Sequence, residues 1–347
     1  KKKIDVLIIG FGIAGSCLAY QLHQQQLKVH ILHNPTKPNA TAIANGLCQR
    51  VSGQKLGINP TVNACFDSAI NYYKTIEKKF NTPIISSYPI KKYLTAQQQA
   101  LWQKKHNQPR YKNLLGTTIT TKNNLNYITM PENYIINPTN YLNCLTEYFT
   151  HKQFLSINTF DESQLVIHKN YIDYKNIQAK YVIFCTGSAI SESMFFNHLP
   201  YQNIKGEILT LKTTHTHPLQ CVQHSHTLSP YTKQTYKFGS TYSRPCNYLP
   251  SKDNYNNLVT DLTKLCSTPL TITKIEAGVR CALTDQNPVL GWHNTYTSIG
   301  LFSGFGSRGF ITAPHLAHLW ANTFPQVNPA LNCFNVGRFA TTLKLIH

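Results

Sequence analysis

Residues 4–15 read Ile4-Asp5-Val6-Leu7-Ile8-Ile9-Gly10-Phe11-Gly12-Ile13-Ala14-Gly15, and this stretch decides the fold. Ile4 to Ile9 is short, β-branched and stopped by Gly10, as a buried parallel strand would be. The glycines then follow the spacing G-x-G-x-x-G, with Ala19 four residues beyond. The first glycine permits a tight strand-to-helix turn, the second lets a pyrophosphate approach the backbone, and the third lets the helix pack on the strand. A helix predicted over about Ala14 to Gln25 opens with free N–H groups and the positive end of its dipole, which favour a diphosphate. A second strand, Leu27 to Leu32, completes a β-α-β unit. An acid usually ends that strand and holds the adenosine ribose. Here His33 and Asn34 stand in its place, and a neutral imidazole or an amide can still hydrogen-bond a hydroxyl.

Outward from this unit, residues 61–112 read as mostly helical and polar, with Phe66, Ile70, Tyr73 and Ile76 at helical spacing. Residues 137–149 read as a helix opened by Pro138. Residues 153–184 read as strands ending in Tyr181 to Phe184, and 204–250 alternate in strand fashion. Residues 260–276 give a helix and a strand. A strand at 296–302 leads through a glycine loop to a helix from about Pro314 to Asn322. Alternation at both ends around an inserted region predicts an α/β chain: a Rossmann-like nucleotide domain from discontinuous segments (1–60, 137–203 and 277–347) and an antiparallel-sheet substrate domain (61–136 and 204–276).

Three later motifs carry further signal. Tyr181-Val182-Ile183-Phe184-Cys185-Thr186-Gly187 is an apolar strand ending in Thr186 and Gly187, the form of a later strand that passes beside a bound dinucleotide. Its bland alternative is an ordinary buried strand and turn. Residues 278–291 read GVRCALTDQNPVLG, and 303–314 read SGFGSRGFITAP. A glycine-rich loop feeding a helix offers N–H donors to an electron-rich group such as a flavin carbonyl edge. An arginine beside it can take a carboxylate bidentately. For Arg280 or Arg308 in isolation, a surface salt bridge is the alternative.

Composition narrows the function classes. The hydrophobic fraction of 41% supports a packed core rather than disorder. No run of about 18 apolar residues is present, so no transmembrane helix is expected. The basic start Lys1–Lys3 resembles a signal peptide, but Asp5 interrupts the apolar run and the glycine spacing explains it better. Ten cysteines show no CxxC pair and no zinc-type spacing, so no metal site is expected and a reduced, cytoplasmic compartment is. The net charge of +19 is uneven: residues 1–130 hold 17 basic and 3 acidic side chains. Lys74, Lys78, Lys79, Lys91, Lys92, Lys104, Lys105, Arg110 and Lys112 face the single acid Glu77. Such a field attracts polyanions, nucleic acid first among them. A solvated basic face with no partner is the alternative.

Taken together and in this order, the motifs resemble the FAD-dependent D-amino-acid oxidase superfamily, which includes glycine and sarcosine oxidases. Within it the chain most resembles the oxidase domain of the tRNA-modifying enzyme MnmC, through 278–291, GFGSRGFITAP at 304–314 and FNVGRF at 334–339. KGEIL at 205–209, GSTY at 239–242 and the flavin-covering loop at 40–56 are shared more broadly, whereas 61–135 carries no motif. The resemblance implies FAD and an oxidative cleavage of a secondary amine. The amine would be the carboxymethylaminomethyl group of 5-carboxymethylaminomethyl(-2-thio)uridine in tRNA, leaving the 5-aminomethyl form and glyoxylate, with a separate methyltransferase acting elsewhere. It implies Arg280 for the substrate carboxylate and Tyr242 for the substrate pocket. It places Gly304, Gly306, Ser307, Arg308, Gly309 and Phe310 beside the flavin ring, and Asn45 and Gly46 near the flavin. The basic stretch 74–112 would grip tRNA phosphates, with the target base splayed into the pocket. The rival is an oxidase of glycine, sarcosine or a D-amino acid, for which the charge is incidental.

Overall fold

A computed structural model describes residues 1–36, 39–122, 124–214, 220–244, 247–266 and 269–339. The chain divides into two units, one of 1–42, 142–204 and 279–347 and the other of 43–141 and 205–278.

In the first unit, β1 (Lys2–Ile9), α1 (Ile13–Gln24), β2 (Val29–His33), β3 (Leu155–Ile157), β4 (Ile177–Phe184), β5 (Ile299–Ser303) and α2 (Gly309–Thr323) form the nucleotide-binding frame. The parallel strands run in the order β3-β2-β1-β4-β5. Strand order reverses between β1 and β4, and ligands of such sheets bind outside the carboxyl ends at that switch point. Val6–Ile9 of β1 and Val182–Phe184 of β4 are buried, which is why these segments are continuously apolar. Where β1 meets β2, Asp5 N and Val6 N both donate to the Lys28 carbonyl, at 2.9 and 3.2 Å. Ile4, Leu7 and Ile9 join one core cluster with Leu32, Val182, Phe184 and Leu301.

The second unit is built on an eight-stranded sheet. In order it contains Thr271–Arg280, Ile204–Lys212, Thr235–Gly239, Thr227–Pro230, Cys221–Gln223, Ile90–Tyr93, Leu125–Met130 and Thr120–Lys122. The expected antiparallel sheet includes a parallel join, between Cys221–Gln223 and Ile90–Tyr93. Helix Pro60–Phe80 is capped by Asn59, whose side chain accepts from Val62 N, and ends on Asn81 in the left-handed conformation. Phe66, Ile70, Tyr73 and Ile76 are all buried on its inner face.

Several boundaries differ from the sequence reading. Residues 43–60 lie in the second unit, because Leu47–Gln49 pairs with Asn133–Ile136 in a separate three-stranded sheet. Between helices Pro60–Phe80 and Ala96–Lys105, the stretch 61–112 also holds strands Ile85–Ser87 and Ile90–Tyr93. The last helix starts at Gly309, with Pro314 inside it. A proline there removes one helical hydrogen bond, and burial of ten of the fifteen residues outweighs that loss. Within 204–250 and 260–276, residues 215–219, 245–246 and 267–268 lie outside the described residues. No helix among the described residues is long and apolar enough to cross a membrane.

Candidate active site

The turn after β1 is held open by sterics that only glycine satisfies. Gly10 has φ +99°, and a Cβ on it would lie 2.5 Å from the Cys185 carbonyl oxygen at the end of β4. A Cβ on Gly15 would lie 2.0 Å from the Gly10 carbonyl oxygen, so the first turn of α1 sits directly on the strand. Gly12 is the N-cap of α1 and provides no side-chain cap, and no acid occupies the first turn. Ile13 N donates to Thr41 Oγ1 at 2.9 Å, and Asn39 Oδ1 in turn accepts from Thr41 N. The amides beyond Ile13, on Ala14 and Gly15, open the helix with its positive dipole end.

A second helix start lies beside the first. Gly309 begins α2, its N-cap Arg308 makes no side-chain cap, and its first turn is free of acids. A Cβ on Gly309 would come within 3.0 Å of Ile13 Cγ2, so the two helix N-termini touch. The loop that feeds α2 bends at Gly304 (φ +75°) and Gly306 (φ +53°). Gly306 N donates to the Cys281 carbonyl at 2.8 Å, which ties the loop to the residue after Arg280. Ser307 is exposed, Arg308 and Arg280 are half-buried, and Phe310 is buried. Thr186 and Gly187 follow β4 next to Gly10, and a Cβ on Gly187 (φ +60°) would meet nothing within 4 Å. One end of the first unit therefore gathers Gly10, Gly12, Ile13, Ala14, Gly15, Thr186, Gly187, Gly304–Phe310 and Arg280.

His33 ends β2 in the same unit, with its ring centroid 6.0 Å from that of Phe11. Burial pushes its imidazole below the usual histidine range, so it is neutral at pH 7 and offers both a donor and an acceptor. Asn34 is engaged locally: its Oδ1 accepts from Thr36 N and Oγ1, and its Nδ2 donates to Thr159. Asn45, Gly46 and Tyr242 lie in the second unit. A Cβ on Gly46 (φ +70°) would lie 1.9 Å from the Ile136 carbonyl oxygen. The Asn45 amide donates to the carbonyls of Thr227 and Gly239, while its buried Oδ1 has no protein partner. Tyr242 is 63% exposed.

Two residues with structural weight here escaped the sequence reading. Thr41 anchors the first amide of α1. Lys237 is buried, and its Nζ donates to the carbonyls of Ile43 and Ala44, fixing the segment that leads into Asn45. Alternation along Thr235–Gly239 predicts Tyr236 and Phe238 inward and Lys237 facing solvent; the opposite sheet face is buried as well. Lys92, counted in the basic stretch, is also buried and donates to Gln223, so it leaves that surface. Burial pulls both lysines down to about 8.

The 3-2-1-4-5 sheet, the glycine turn and the paired acid-free helix starts define a dinucleotide-binding enzyme. The chain belongs to the FAD dependent oxidoreductase (DAO) family, whose model matches residues 5–323. It is an FAD-dependent oxidoreductase, and the glycine cradle and two acid-free helix starts fit a diphosphate and an electron-rich ring edge. Its fold is similar to that of iminodiacetate oxidase from Chelativorans sp. BNC1, with a TM-score of 0.78, 15% identity, and coverage of 95% of this chain and 98% of the other. Glycine oxidase from Geobacillus kaustophilus gives a TM-score of 0.78 at 14% identity over 97% and 99% of the two chains. L-proline dehydrogenase from P. horikoshii gives 0.75 at 14% identity over 98% and 99%.

Proposed function

We propose that this enzyme removes an N-carboxymethyl group from a secondary amine, and that the amine is 5-carboxymethylaminomethyl(-2-thio)uridine in tRNA. The C–H bond beside nitrogen is oxidised, water adds to the resulting imine, and the C–N bond breaks to give the 5-aminomethyl nucleoside and glyoxylate. FAD supplies the two-electron acceptor. Arg280 pairs with the substrate carboxylate and so orients the CH₂. Gly12, Ile13, Ala14 and Gly15 hold the diphosphate, His33 or Asn34 the ribose, and the 304–310 loop the flavin edge. The side chains bind, orient and exclude water, and no residue need act as base once the amine is neutral.

The observation that carries the tRNA reading is the distribution of charge. The second unit holds 20 basic and 7 acidic residues, a net of +13 out of +19. The single acid in the stretch 74–112, Glu77, accepts from Ile84 N and Ile85 N rather than pairing with a lysine. A free amino acid needs no such field; a polyphosphate does. The resemblance to MnmC oxidase domains points the same way. A second reading, an oxidase of small amines, is favoured by the names of the structural neighbours, since iminodiacetate is itself an N-carboxymethyl amine.

The experiment is anaerobic mixing of the FAD-loaded enzyme with tRNA bearing the modified uridine and, separately, with glycine, sarcosine, D-alanine and iminodiacetate, following flavin absorbance. Bleaching by the tRNA alone, lost in Arg280→Ala, is expected. Bleaching by a free amine with tRNA inert replaces this reading with the second.

A further inference from the structure

Between Glu77 and Glu132 the sequence has no acidic residue and nine lysines or arginines. Three strands at the end of the second unit's sheet come from this stretch: Ile90–Tyr93, Leu125–Met130 and Thr120–Lys122. Their two faces differ. Ile90, Ile128 and Met130 pack into the cluster around Trp102, and the Asn126 amide on that same side donates to Gln99 of helix Ala96–Lys105. The alternate residues look the other way. Register sets Lys91 opposite Thr129, Tyr93 opposite Tyr127 and Lys122 opposite Leu125.

On the inner half of the sheet, helix Lys252–Leu265 covers this second face, with Leu258 and Leu262 packed on Leu209, Leu211, Leu228, Tyr236 and Phe238. Val222 packs against that cluster and neighbours Lys91 in the register. Beyond Val222, Leu125 is 42% exposed, and Lys122 and Thr129 are exposed. The Tyr93 and Tyr127 rings lie 5.5 Å apart at 62°, and Lys91 Nζ sits 5.1 Å from the Tyr127 centroid. These two half-buried rings lie on a sheet face whose outer residues Leu125, Lys122 and Thr129 are exposed, beside Lys91 and Lys122 and with no acid among the facing residues.

We infer that this pair of rings is a stacking platform for unpaired nucleotides of the RNA substrate, an inference that rests on the tRNA reading above. Tyrosine faces stack on any base, and flanking lysines meet the phosphates on either side. A duplex keeps its bases stacked internally and cannot use the rings. The platform therefore selects loop over stem, which charge alone cannot do.

The test uses the FAD-loaded full chain and fluorescence anisotropy with two labelled RNAs, an unmodified tRNA anticodon stem–loop and a blunt duplex of equal length. The Tyr93→Leu/Tyr127→Leu enzyme is expected to bind the stem–loop tenfold or more weakly, with duplex binding unchanged. The Tyr93→Phe/Tyr127→Phe enzyme retains the rings and keeps wild-type affinity. On the wild-type enzyme, 4-thiouridine in the loop crosslinks to residues 91–93 or 125–129, which does not depend on any variant folding. Stem–loop affinity indifferent to the leucine pair, or crosslinks confined to other segments, overturns the platform while the tRNA reading stands. A wild-type enzyme that binds neither RNA overturns the tRNA reading itself.

Discussion

Replacing Lys205 by Met isolates the most costly polar contact inside the second unit. Lys205 and Glu207 form an ion pair at 2.9 Å, with side chains only 5% and 0% exposed. Glu207 also accepts from Ser251 N at 3.1 Å and from the Asn254 amide at 3.0 Å. Lys205 donates to Asn247 and to the Leu249 carbonyl. The pair thus ties residues 247–254 to strand Ile204–Lys212. Lys205→Met fills the same volume but leaves a fully buried carboxylate facing only neutral donors. Removing one partner of such a pair costs about 3–5 kcal/mol. The Lys205→Met/Glu207→Met enzyme loses the uncompensated charge but strands the Ser251 and Asn254 donors, at about 1–3 kcal/mol each. In urea unfolding of the FAD-loaded protein, the single variant should shift the midpoint to lower urea at unchanged slope by an amount equal to about 3–5 kcal/mol. A loss under about 1 kcal/mol, within the range of exposed pairs, would refute the argument from burial.

Gly15→Ala places a Cβ 2.0 Å from the Gly10 carbonyl oxygen, so the purified variant should lose most of its FAD, read as the ratio of flavin to protein absorbance. Full flavin content would contradict the tight helix-on-strand contact. Lys237 is held near 8 in the fold against 10.5 unfolded. The unfolded chain therefore binds the extra proton between those values, and stability should rise by up to about 3 kcal/mol as pH climbs from 8 to 10.5. Lys237→Met should flatten that rise in pH-dependent unfolding, and an unchanged slope would refute it. His30, buried between Lys2 and Ser156, is pushed down to about 4 from 6.5. Stability should accordingly fall by up to about 3 kcal/mol between pH 6.5 and 4, and the His30→Gln enzyme should lose that component of the acid transition.

The sequence made the nucleotide-binding end of the fold legible because each signal there has a local cause. Gly10 is demanded by its own φ of +99° and Gly15 by the Gly10 carbonyl five residues earlier, and Val6–Ile9 is apolar because it is fully buried. Less visible were features set by distant partners. Leu47–Gln49 is too short to show a period, and its partner strand lies some 85 residues away, so 43–60 reads as part of the wrong unit. Gly309 and Pro314 disguise the start of α2, whose order comes from packing on α1. The excess of lysines is plain in the sequence, but the burial of Lys92 and Lys237 is not. Arg280, Gly304 and Gly306 were picked out by motif, and the Gly306–Cys281 hydrogen bond explains why they occur together.

Product analysis decides whether the modified uridine is the substrate. tRNA bearing 5-carboxymethylaminomethyluridine is incubated aerobically with the FAD-loaded enzyme, its nucleosides are resolved by mass spectrometry, and glyoxylate is assayed in the same reaction. Conversion to 5-aminomethyluridine with one glyoxylate per nucleoside is expected, abolished in Arg280→Ala. Unchanged nucleoside, from an enzyme whose flavin glycine, sarcosine or iminodiacetate reduces readily, would contradict the tRNA reading.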